Sequence, residues 1–75
     1  MSTDRKITIS DDSIKLGQAL KKSDLVQSGA EAKLVIQEGL VAVNGEVCRE
    51  RGHKIKGGDK ISFEGVTVTV ESHDP

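Results

Sequence analysis

Ten residues in the middle of the chain, Glu38-Gly39-Leu40-Val41-Ala42-Val43-Asn44-Gly45-Glu46-Val47, constrain the fold more than any other stretch. An apolar run at helical spacing stops at Gly39, the pattern then alternates, and Asn44-Gly45 marks a reversal. Glycine takes the left-handed conformation needed just past a helix C-terminus. Asn-Gly suits the two-residue turn in which both central positions need positive φ. The segment predicts a helix joined to a β-hairpin, with Glu46-Val47-Cys48 as the return strand.

Signals on either side extend this unit. Ser28 and Glu31 stand at N-cap and N3 spacing, a capping box that starts the second helix and gives it about eleven residues from Ser28, with Lys33 inside it. Leu16, Ala19 and Leu20 fall at i, i+3 and i+4, which predicts a shorter first helix starting from Asp11-Asp12-Ser13 and ending near Ser23-Asp24. Lys6 to Ser10 alternates as a short strand. Beyond Cys48 a basic loop leads to a turn at Lys56-Gly57-Gly58-Asp59. Lys60-Ile61-Ser62-Phe63 and Val66-Thr67-Val68-Thr69-Val70 then alternate around Glu64-Gly65 as a second hairpin. Residues 71–75 carry no pattern and read as a loose tail. The sum is an α+β fold, two short helices packed against a small, mainly antiparallel sheet.

At 75 residues the chain makes one domain, 1–75, with a core near the lower limit of what a single apolar cluster can sustain. Cys48 is the sole cysteine, so no internal disulfide forms and no zinc site of several thiolates exists; it reads as a half-buried strand residue and fits a reducing cytoplasm. No segment approaches the ~20 apolar residues of a membrane span, and Met1 to Lys6 runs into an alternating strand, not a signal sequence. The expectation is a monomer without metal or cofactor, neither exported nor inserted.

Formal net charge is −1, but its distribution is uneven. Between Ile14 and Lys60 nine cations face six anions, while the flanks on both sides are acidic. Arg49, Arg51, His53 and Lys54 crowd the loop after the first hairpin, a surface suited to phosphate. Catalysis finds little support, because neither histidine has a partner and the carboxylates lie mainly at helix starts, turns and termini. Gly57-Gly58 lacks the spacing of a phosphate-binding loop and precedes a strand, so it reads as a turn. With no Trp or Tyr, and Phe63 assigned to the core, base-stacking platforms for single strands are not expected.

These residues together resemble a known family, the small RNA-binding domain first recognised in ribosomal small-subunit protein four, also called the alpha-L RNA-binding motif. The resemblance covers about residues 14–63. It is carried by Lys15-Leu16 and Leu20, Ser28, Ala32-Lys33 and Ile36, the core Gly39-x-Val41-x-Val43-Asn44-Gly45, and Gly58-Asp59-x-Ile61. It is nearest to short bacterial stand-alone members with an extra N-terminal strand and a final hairpin. The resemblance implies non-catalytic binding of structured RNA, ribosomal RNA or an assembling ribosomal particle, on a helix–hairpin surface. Carried over by position, the contacts are Lys15, Ser28, Lys33, Asn44 and Gly45. Two positions depart from the pattern: Gly29 stands where the family commonly has arginine, and Gly17 where aspartate is frequent. Gly29 and the near-neutral charge keep an alternative open, a protein-interaction module that retains the fold with little or no RNA affinity.

Overall fold

The computed structural model describes residues 3–10 and 12–72. Among these described residues, seven strands and two helices follow in the order β1 (Thr3–Ile9), β2 (Ser13–Lys15), α1 (Leu16–Lys22), α2 (Gly29–Gln37), β3 (Val41–Val43), β4 (Glu46–Val47), β5 (Lys54–Lys56), β6 (Lys60–Phe63) and β7 (Val66–Ser72). Five strands form one sheet in the order β1-β7-β6-β3-β4, and β2 pairs with β5 in a separate ribbon. Every pairing is antiparallel except that of β1 with β7. The α+β class and the mainly antiparallel sheet hold as expected.

The central unit forms as its residues dictate. Asn44 and Gly45 sit at φ 52° and 88°, and the turn sets Val43 opposite Glu46. At the end of α2, Gly39 has φ 77°. Its N–H donates to the Ile36 carbonyl and that of Leu40 to the Val35 carbonyl, the paired bonds that close a helix on a left-handed residue. At the other end the Ser28 hydroxyl accepts from the Glu31 N–H at 3.2 Å. Glu31 reaches back one residue further than the capping box requires, accepting from the Gln27 N–H at 3.1 Å.

Alternation along the strands turns Val41, Val43, Ile61, Phe63, Val68 and Val70 toward the helices, where they meet Leu16, Ala19, Leu20, Ala32 and Ile36 in one core. Each fully buried Leu, Ile or Val contributes about 1.5–3 kcal/mol relative to exposure. Ser23, the buried polar residue at the end of α1, is satisfied by the Ala19 and Leu20 carbonyls. Arg5 on β1 donates to the Ser23 carbonyl and ties the first strand to that helix end.

Four expectations are corrected. α1 does not start from Asp12-Ser13: Ser13 to Lys15 is strand, and Lys15 is an N-cap whose side chain makes no capping bond. The first helical amides are satisfied from a distance instead, Leu16 N–H donating to the His53 carbonyl at 2.8 Å and Gly17 N–H to the Arg51 carbonyl at 3.3 Å. The basic loop is only partly a loop, since Lys54–Lys56 is β5, with Ile55 buried between two exposed lysines. The tail is shorter than expected, because Glu71 and Ser72 continue β7 opposite Thr8 and Ile9; residues 73–75, and Asp11 at the expected helix start, lie outside the described residues. Strand β4 also stops at Val47. Cys48 follows it, half-buried, with its N–H donated to the Val41 carbonyl.

Candidate nucleic-acid interface

The β2–β5 ribbon, absent from the sequence reading, assembles the basic surface. Its register sets Lys15 opposite Lys54 and Ser13 opposite Lys56. Like charges directly opposite one another across strands cost stability. The ribbon is held despite this because Ile55 is fully buried beneath it and because the 51–53 backbone caps α1.

Beside the ribbon lies a groove of about 360 Å³ between α1, the start of α2 and the Arg51-Gly52 turn. Lys15, Lys21 and Arg51 supply its charge, Gln18 a neutral amide, and Gly17, Gly29, Ala32 and Gly52 the rest of its lining. No carboxylate is among the lining residues. Among the described residues the ion pair found is Lys6–Glu71 at 3.3 Å, on the sheet and away from the groove. The aliphatic stem of Arg51 lies against Gly17 of α1, its Cγ 3.0 Å and Cδ 3.7 Å from where a Gly17 Cβ would stand. Both positions that depart from the family pattern, Gly17 and Gly29, thus line one groove.

The remaining expected residues divide. His53 and Arg49 border a second hollow of about 360 Å³, together with Val43, Asn44, Glu46, Val47, Cys48 and Glu50. The Arg49 guanidinium also lies against Gly39, with Nη2 2.9 Å from the place of a Cβ, at the C-terminal end of α2 where helix carbonyls favour a cation. Asn44 has its amide committed: Nδ2 donates to Asp59 Oδ1 at 3.1 Å, and Oδ1 accepts from the Lys60 N–H at 3.0 Å. Asp59 Oδ2 accepts from the Lys56 N–H at 2.8 Å, and this bond above all, helped by Asn44, holds the carboxyl below the usual carboxylate range. Gly45 is exposed at the hairpin tip, Ser28 is exposed as a cap, and Lys33 is exposed on α2 outside the groove lining.

Sequence reasoning did not single out Lys21 and Gln18, which line the groove. The available signal was helical spacing, since Gly17, Gln18 and Lys21 share one face by i+3 and i+4.

This architecture, a helix pair and hairpin with a cationic groove against the first helix, defines a class of small α+β domain. The chain belongs to the S4 domain family, whose model matches residues 7–71. It is similar to a Bacillus subtilis (strain 168) protein described as "Probable ribosome maturation protein RlbA", 44% identical over 59 residues that cover 79% of this chain and 83% of that protein. It is also similar to the Escherichia coli (strain K12) protein described as "Putative RNA-binding protein YbcJ", 40% identical over 57 residues covering 76% and 81%.

Proposed function

We propose that this chain binds structured RNA without catalysis, and that ribosomal RNA or an assembling ribosomal particle is its partner. The observation that carries this is the acid-free groove lined by Lys15, Lys21 and Arg51, with Lys54 set opposite Lys15 on the adjoining ribbon. Clustered like charges of this kind cost folding energy and gain it back only against a polyanion. The names of the relatives, one of ribosome maturation and one of RNA binding, support the partner class. Contact through phosphates suits structured RNA, whose deep major groove excludes side chains. Lys33, Arg49, His53 and the Asn44-Gly45 turn extend the proposed surface from the helices to the hairpin.

An anisotropy titration with a structured RNA hairpin at several salt concentrations tests the reading. Four neutralised phosphates give a log–log salt slope of roughly −3 to −4. A second reading, protein docking, is favoured by Leu34, Leu40 and Val47, which are exposed on α2, after it and on β4. Absence of saturable RNA binding at low salt would favour that reading instead.

A further inference from the structure

The groove offers more room than phosphate contact requires. Cations that meet a backbone phosphate need only stand on a surface, yet here a hollow of about 360 Å³ opens among Lys15, Lys21 and Arg51, a volume within the range of small-ligand sites. It exists because three lining positions, Gly17, Gly29 and Gly52, carry no side chain and a fourth, Ala32, carries only a methyl. Nothing lies within 4 Å of where a Gly29 Cβ would stand, so that wall is open. The Arg51 stem resting on Gly17 holds the guanidinium at the groove. A guanidinium plane is a surface on which a splayed RNA base stacks, and Gln18 offers both a donor and an acceptor to a base edge.

We propose that this groove receives one unpaired nucleotide extruded from a structured RNA. Its phosphate meets Lys15 and Lys21, its base lies against the Arg51 guanidinium over the glycine floor, and Gln18 meets the base edge. A paired base cannot enter a hollow between two helices, whereas a bulged one is already free of its stack. The inference rests on the RNA-binding reading and adds to it the class of RNA feature that is recognised.

Three hairpin RNAs sharing one stem separate the possibilities: fully paired, with a one-nucleotide bulge, and with an abasic bulge. Titrated against the whole chain at one salt concentration, the bulged RNA is expected to bind about tenfold more tightly than the paired one, the effect of one stacked base. The abasic bulge keeps the phosphate and flexibility but loses that gain. Gly29→Leu, which fills the groove without changing charge, is expected to abolish the preference for the bulged RNA over the paired one. Equal affinity of the parent chain for all three RNAs would overturn the inference alone, as would an abasic bulge that binds as tightly as the intact one. No binding to any of them would overturn it together with the RNA-binding reading.

Discussion

Asn44 and Asp59, fifteen residues apart, join the two turns of the sheet through a 3.1 Å hydrogen bond from Nδ2 to Oδ1. The same asparagine receives the Lys60 N–H on Oδ1, and the same aspartate receives the Lys56 N–H on Oδ2. The hairpin turn and the Gly58-Asp59 turn are therefore one structural unit, which gives two separated sequence features a common physical cause. Asn44→Ala removes both side-chain bonds and places a residue poorly suited to positive φ at 52°. The expected loss is about 1–2 kcal/mol, read as a shift in urea midpoint.

Asp59 also sets a pH dependence. Its carboxyl is held below the ordinary range, chiefly by the Lys56 N–H and further by Asn44. A carboxylate with a lowered folded-state value contributes stability that is present above its unfolded pKa, about 4, and is lost as pH falls through the lower folded value. Urea midpoints measured from pH 6 downward are expected to decline in that acidic window. Asp59→Asn, less stable at neutral pH, should show a shallower decline.

The glycines that open α2 and follow its C-terminus should respond oppositely to alanine. Gly29 opens the helix with free space around it, so Gly29→Ala is expected to stabilise by up to about 1 kcal/mol. Gly39 has φ 77° and a methyl there would stand 2.9 Å from Arg49 Nη2, so Gly39→Ala is expected to destabilise by more than that gain. Chemical denaturation of both variants under one condition checks the contrast.

Ile55 anchors the ribbon that carries Lys54 and meets Lys15. Ile55→Ala is expected to cost about 2–5 kcal/mol, because the side chain is fully buried in the common core. Thermal unfolding followed by circular dichroism measures it. By comparison Lys33→Glu, on the exposed face of α2, should change stability by about 0.5 kcal/mol or less.

What was legible in the sequence was local. Ser28, Gly39 and Asn44-Gly45 act within a few residues of themselves, so their chemistry names the helix and hairpin directly. The start of α1 was not legible, because its amides are satisfied by the Arg51 and His53 carbonyls more than thirty residues away. Nor was β5, three residues with lysine at both ends, which becomes a strand only because Ser13–Lys15 pairs with it. The parallel pairing that orders Glu71 and Ser72 joins the two ends of the chain, and no short pattern announces it. The groove follows the same rule. Lys15 and Arg51 could be named singly, but the hollow, with Lys21 and Gln18, arises from juxtaposition of α1, α2 and the 51–52 turn.

If the cations on the groove and ribbon are placed for RNA at a cost to folding, Lys15→Glu exposes the trade. This substitution sets a carboxylate opposite Lys54 in place of a like charge, which should raise stability by about 0.2–1 kcal/mol. It should also weaken binding to a structured RNA hairpin and reduce the salt slope by about 1 or more, since one phosphate contact is lost and a repulsion introduced. Stability and RNA affinity are expected to move in opposite directions, measured by urea denaturation and by anisotropy on the same preparation. Unchanged RNA affinity, with the same salt slope as the parent chain, would contradict it.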